Sequence, residues 1–174
     1  MALQTPEATI TYEVYLDGYR LIGTAEAELP NLQAMTAEVK GAGIAGQVDS
    51  PVIGHFQGMT CKLTFRTVTQ DFMLLMQQQA HHIELWAAIQ RMSVDTGKYV
   101  VQQQKIITRC IPKNMPMGKL GIGEVQGREM EFEVIYVREV VDGFDIYELD
   151  KYNGIFKVAG ISAMQDVLKA IGLI

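Results

Sequence analysis

Apolar residues recur at every second position along most of this chain. From Thr9 onward, Ile10, Tyr12, Val14 and Leu16 alternate with Thr11, Glu13 and Tyr15, and a period of two marks a strand with one buried face. Asp17-Gly18 follows, a dipeptide suited to the two-residue turn whose central residues both take positive φ, so a return strand is expected over Tyr19 to Leu29. Pro30 ends it, and Leu32 to Lys40 forms a third extended piece. Thr60 to Val68 alternates again, with Cys61, Leu63, Phe65 and Thr67 set against Lys62, Thr64 and Arg66. The period then changes. Within Thr69 to Ala80, Phe72, Leu75, Met76 and Gln79 fall at i, i+3, i+4 and i+7, which predicts a helix capped by Thr69 or Asp71. His82 to Ser93 and Lys98 to Ile111 form a long hairpin around Asp95-Thr96-Gly97. Pro112 to Gly123, with two prolines and three glycines, is a loop that cannot continue a strand. Arg128 to Val141 sets Met130, Phe132, Val134, Tyr136 and Arg138 against Glu129, Glu131, Glu133, Ile135 and Val137; Asp142-Gly143 turns into a return strand, Phe144 to Asp150. Ser162 to Ile171 makes a short final helix. Seven or eight strands with one or two helices predict a mainly β (α+β) domain, a β-sandwich or small barrel with one flanking α-helix.

One stretch breaks this rhythm. Lys40 to Met59 holds five glycines and a proline in twenty residues, and it lacks any period that would bury it on its own domain. Compact domains rarely carry such a loop without a task for it, and a solvated linker would gain nothing from Ile44, Val48, Val52, Ile53 and Phe56. It is expected to be an arm that orders against another subunit, with Lys40, Gly41, Gly43, Ile44, Gly46, Val48, Val52, Ile53, Phe56 and Met59 as its assembly residues. Gly41, Gly43 and Gly46 match the literal G-x-G-x-x-G of a dinucleotide turn, but that turn must open a helix, and Pro51 follows with no helical period. Glycines that let an arm bend and approach another backbone explain the pattern better.

Length and composition narrow the class. At 174 residues and 19.4 kDa the chain fits one domain, 1–174. Hydrophobic residues at 48% and charged residues at 20% exclude wholesale disorder. A net charge of -5 and a pI near 5.2 argue against tight wrapping of nucleic acid and suit a surface that lets a polyanion pass. No apolar run spans a membrane and the N-terminus lacks a signal core, so no membrane anchor is expected and assembly in the cytoplasm is. Cys61 and Cys110 are expected to be packed, reduced thiols. His81 and His82 point to opposite faces of a strand and His55 lies in the arm, so no metal or cofactor site is expected. Nor does any Ser, Cys or His sit in a local nucleophile motif, and no catalysis is expected. Glu131 and Glu133, two residues apart, share one strand face and start an acidic row. Met115 and Met117 give the second loop flexible thioethers of the kind adaptable interfaces use.

Two stretches carry a family resemblance. Val14-Tyr15-Leu16-Asp17-Gly18-Tyr19 with Gly23-Thr24-Ala25, then Leu29-Pro30-Asn31-Leu32 and Lys40 through Gly46, resemble the N-terminal half of the major tail tube proteins of contractile-tailed phages. Tyr147 through Ile161, closing on Ile171-Gly172-Leu173, is similar to the C-terminal signature of that family. The resemblance implies a tube protomer, related also to the tubes of R-type bacteriocins, that forms hexameric rings stacked into a hollow tube inside a contractile sheath. It implies as partners other copies of the chain, the tail sheath protein, and baseplate, initiator and terminator proteins, with DNA or ions passing through the lumen unbound. It places the chain in a virion or phage-tail-like particle and gives the long loop a reach toward the adjoining ring. Glu129, Glu131, Glu133, Glu148 and Asp150 are the candidates for an acidic lumen surface. The reading from another class is a small β-barrel module that binds a ligand beneath the glycine-rich loop.

Overall fold

The computed structural model describes residues 4–20 and 24–173. Among these residues twelve strands and two short helices follow in the order β1 (Gln4–Leu16), β2 (Tyr19–Arg20), β3 (Thr24–Glu28), β4 (Ala34–Val39), β5 (Val48–Phe56), β6 (Thr60–Phe65), α1 (Gln70–Leu75), β7 (His81–Ser93), β8 (Tyr99–Asn114), β9 (Arg128–Val141), β10 (Phe144–Asp150), β11 (Ile155–Val158), β12 (Ile161–Ser162) and α2 (Gln165–Ala170). The fold is mainly β, as the alternation predicts.

Ten strands make one antiparallel sheet in the order β12-β11-β10-β9-β8-β7-β1-β2, and β6 joins β9 to β3 as a branch. β9 is the hub. One edge pairs with β8; the other pairs with β6 through Arg128–Glu133 and with β10 through Tyr136–Val141. The β3–β6 branch folds over β1, β7 and β8, and Ala27 and Leu29 line a cavity together with Tyr12, Leu85 and Ile106. Between the layers lie Val14, Leu16, Leu63, Phe65, Ile83, Leu85, Ile106, Phe132, Val134 and Val137, with Phe72 and Leu75 of α1 closing one side. Phe65 and Phe72 meet edge to face, their centroids 5.4 Å apart.

The turns follow their dipeptides. Asp17 and Gly18 take φ of 48° and 84°, and Asp142 and Gly143 take 48° and 83°, matching the right-handed twist of the strands they join. Several boundaries differ from expectation. β1 begins at Gln4 rather than Thr9, with register shifts at Pro6/Ala8 and Thr9/Thr11 that let a proline-bearing segment stay paired with β7. Of the expected return strand, Tyr19 to Leu29, the described residues that pair beside β1 are Tyr19 and Arg20. Residues 21–23 lie outside the described set, and β3 pairs with β6 instead.

The helix is six residues long because only Phe72 and Leu75 bury, while Met76 and Gln79 stay exposed and the chain must enter β7 at His81. Thr69 holds the N-cap position without a side-chain hydrogen bond, and the side chain of Asp71 lies outside the described set. Pro112, expected to open a loop, stays in β8. Paired contact with β7 ends at Cys110, so one edge of β8 is free there and the missing N–H goes unmissed; a register shift follows between Pro112 and Asn114. β11 and β12 are too short to show a period in the sequence.

Cys61 and Cys110 are buried free thiols on the strands either side of β9, and burial pushes each up to about 12. A thiol reagent at mildly alkaline pH is therefore expected to label neither in the native protein, with labelling tracking the unfolded fraction across a urea series. Fast labelling without denaturant would contradict this packing.

Candidate functional site

The stretch Lys40 to Met59 is not a single loop, since most of it is strand β5 and the tip of a hairpin. β4 and β5 form a two-stranded hairpin that pairs with no other strand among the described residues, and Gln57 N–H to Gln33 O extends the ladder toward its root. The register runs from Val39↔Val48 to Thr36↔Pro51, then jumps to Ala34↔Phe56, so β5 bulges out over residues 52–55. Residues 40–47 make the tip. Gly41, Gly43 and Gly46 have φ of 153°, 92° and 129°, values that L side chains rarely adopt. The glycine pattern thus serves chain reversal, and no helix follows it.

The hairpin exposes apolar side chains without covering them. Met35, Val39, Ile44, Val48, Val52 and Ile53 are all exposed, Ile53 at 63%. Lys40 pairs with Glu38 at the tip. Two residues expected on the arm belong to its root or to the body. Phe56 packs on the core against Phe156, their centroids 4.9 Å apart, and Met59 is itself core, 1% exposed. The hydrophobicity that drew attention to them reports packing within the domain.

The acidic candidates gather on one side of the sheet. Met130, Phe132 and Val134 face the core, and so does Val137, because Arg109 pairs with Tyr136 while Cys110 pairs with Val134 and leaves Ile135 as an extra residue. This bulge corrects the expected alternation: Tyr136 and Arg138 move to the side of Glu129, Glu131 and Glu133, and Val137 leaves it. Glu148 and Asp150 lie opposite Arg138 and Tyr136 in the register, so both proposed carboxylate groups share that face.

They are not a bare acidic row. Glu129 lies 3.6 Å from Lys62, which also meets Glu28; Glu148 lies 3.1 Å from Lys157; Asp150 lies 2.8 Å from Arg109. Asp150 is buried and accepts from Asn153 and from the Tyr152 and Asn153 amides; burial works against its charge, but these hydrogen bonds and Arg109 hold its carboxyl below the usual range. Glu133 sits where the sheet forks. Its carboxylate accepts from the Met59 amide and from Lys151 Nζ, each at 3.3 Å, with Lys113 at 3.8 Å. Further along the sheet is a cluster the sequence did not reveal: Glu84 accepts from His82, Trp86 and Lys105, and Lys105 lies 4.4 Å over the Trp86 ring. Burial opposes ionisation of Glu84, but those donors outweigh it and hold the carboxyl at about 2. Its residues lie two apart on β7 and opposite on β8, so their shared face would have been the only signal.

Among the described residues no group of three or more His, Cys, Asp or Glu could hold a metal ion, and no helix is long and apolar enough to cross a membrane. His81 is buried, with Nε2 2.8 Å from Gln77 O, while His82 meets Glu84 on the other side.

The domain thus projects an uncovered apolar hairpin and carries a charge-matched sheet face. The chain belongs to the phage tail tube protein FII family, whose model matches residues 6–172. It is accordingly a structural component of a tail tube and not an enzyme. No curated protein matches it closely enough to serve as a relative. Among solved structures, it is similar to a chain of an extracellular contractile injection system, the PVC sheath/tube terminator in its extended state, with 12% identity, a TM-score of 0.53, and coverage of 78% of this chain and 96% of that one. A chain of the anti-feeding prophage baseplate, 6-fold symmetrised, matches with 10% identity, a TM-score of 0.44, and coverage of 74% and 90%. At 12% identity the likeness to the first is one of fold alone.

Two outcomes follow from this geometry. Glu133→Gln keeps an acceptor for the Met59 amide and should cost under about 1 kcal/mol in urea unfolding, whereas Glu133→Ala leaves that amide unmet and should cost about 1–3 kcal/mol. Equal costs would mean that the amide contact contributes nothing. The folded pKa of Glu84 is depressed, so its contribution is complete above its unfolded value near 4.5 and is lost as pH falls toward about 2. Stability measured across that window should fall less steeply in Glu84→Gln than in the parent, and identical slopes would remove Glu84 as the cause.

Proposed function

We propose that this chain is the repeating subunit of the inner tube of a contractile phage tail or R-type bacteriocin. Six copies form a ring and rings stack into a hollow tube. The observation that carries this reading is the β4–β5 hairpin: among the described residues it shares no ladder with the body, and it exposes a row of apolar side chains that a second copy would cover. A protruding element that fits a different surface of the next copy makes a heterologous contact, and repeating such a contact generates rings and open filaments. The number six comes from the family resemblance alone.

The face bearing Glu129, Glu131, Glu133, Glu148 and Asp150 is the candidate lumen surface. Lys62, Arg109, Lys151 and Lys157 are already matched to carboxylates there, which leaves few free cations to hold a phosphate backbone. DNA or ions would pass without specific binding. The remaining partners are the sheath outside the tube and the baseplate, initiator and terminator proteins at its ends, within a virion or phage-tail-like particle assembled in the bacterial cytoplasm.

Negative-stain electron microscopy across a concentration series, with light scattering for mass and with tail initiator complexes added as seeds, tests this. The parent should give hollow tubes. A variant with residues 40–47 excised, joining Val39 to Val48 through a short turn, should keep the parent's circular dichroism and remain below ring-stack size. Tubes from the excised variant would overturn the arm's role.

A further inference from the structure

We propose that the C-terminal unit, β11 through α2, is a bracket that sets the direction of the β4–β5 arm, with Gly54 and Met164 as its positioning residues. The inference rests on the arm being the stacking element. Among the described residues no backbone ladder ties the hairpin to the large sheet, so contacts other than strand pairing are needed to fix its angle. Two side-chain contacts at its root are available for this, and both lead to the same place.

The first is Phe56 on Phe156 of β11. The second is a notch. Gly54 lies in the bulge of β5 with φ of +71°, and a Cβ built there would overlap the Met164 sulfur. Met164 occupies the N-cap position of α2 and is buried at 7% exposure, outside the main core cluster, so its burial comes from this corner and not from the sandwich. Its own placement is fixed: the Met164 amide donates to Ser162 Oγ, and the Ala163 amide donates to Phe156 O, the residue that meets Phe56. The bulge, the missing side chain at residue 54 and the thioether therefore form one joint. It turns β5 out of line where the hairpin leaves the body, and the flexible Met164 side chain fills the space a side chain at residue 54 would take.

The test separates the joint from the arm's function. Amide hydrogen exchange on the unassembled protein follows residues 34–56 against β7 to β9, for the parent, Met164→Ala, Gly54→Ala and the double variant, each then taken to seeded tube assembly beside the variant lacking residues 40–47. Met164→Ala should lower protection in the arm by about tenfold, leave β7 to β9 unchanged and slow assembly by a similar factor. Gly54→Ala should do likewise, and its effect should be smaller but not abolished in the Met164→Ala background, where the added methyl has room but the positive φ still disfavours a side chain. Arm exchange unchanged in Met164→Ala, or strictly additive effects, would overturn the bracket. So would a loosened arm that assembles at the parent's rate while the tip-excised variant does not assemble at all. Should the tip-excised variant form tubes, the stacking role of the arm falls, and with it the bracket's part in assembly; the exchange comparison still decides whether the joint exists.

Discussion

The extra residue at Ile135 is the constraint from which most of this structure follows. β9 has one neighbour on one edge and two on the other, and a single straight strand could not serve both. β6 closes the sandwich over β1 and β7, whereas β10 carries the sheet outward to β11 and β12. At the junction, Val134 N–H donates to Met59 O on one branch and Ile135 O accepts from Lys151 N–H on the other. The bulge thus satisfies the backbone where the two branches part, and the added twist lets them diverge. Glu133 completes the junction by holding the Met59 amide and Lys151 in one carboxylate.

The same residue decides the chemistry of the outer face. Without a bulge, strict alternation would send Tyr136 and Arg138 into the core and Val137 out of it. With it, Val137 joins Phe132 and Val134 inside, and Arg138 reaches Asp145 through two hydrogen bonds of 2.8 and 2.9 Å. A row that would have been acidic for half its length becomes one in which carboxylates and cations interleave. Partly exposed pairs of this kind stabilise little. Their effect is on the field the face presents: matched charges leave neither a strong attraction for phosphate nor a strong repulsion.

Much of the sandwich was legible because its strands bury one side only. The alternation of Cys61, Leu63 and Phe65, the long hairpin of β7 and β8, and the Asp-Gly turns all follow from side-chain period and backbone φ, which are local properties. What stayed hidden depends on partners. Nothing within residues 24–28 says that they pair with β6 and not with β1, and nothing around Ile135 says that the residue is extra until Cys110 and Arg109 are placed beside it. Pro112 looked like a strand breaker because its missing donor matters only where a neighbour needs it, and β7 has ended there. For the arm, the unusual segment was legible but its form was not. A hairpin with neither side buried has no alternation to show, so glycines and scattered aliphatics looked like a loop.

That absence of pattern is itself informative about assembly. An isolated two-stranded hairpin is marginal in water, because its ladder gains little beyond what solvent offers. This one keeps its order through the chain ends at Gln33 and Gln57 and the contacts at its root, while its tip relies on three glycines that bring no packing at all. Ordering such a tip costs conformational entropy that the free subunit has no means to offset, whereas a neighbour that covers Ile44, Val48 and Ile53 supplies apolar burial at the same moment. If the arm is the stacking element proposed above, stacking is unfavourable for a lone pair of loosely held arms and favourable once several are presented together in fixed positions, since the second and later contacts are made at high effective concentration. On the proposed assembly, a seed that presents arms or their receiving surfaces in a ring would lower the barrier more than a higher concentration of free subunits does, and growth from a template would follow from the physics of an arm whose tip does not pack against its own body.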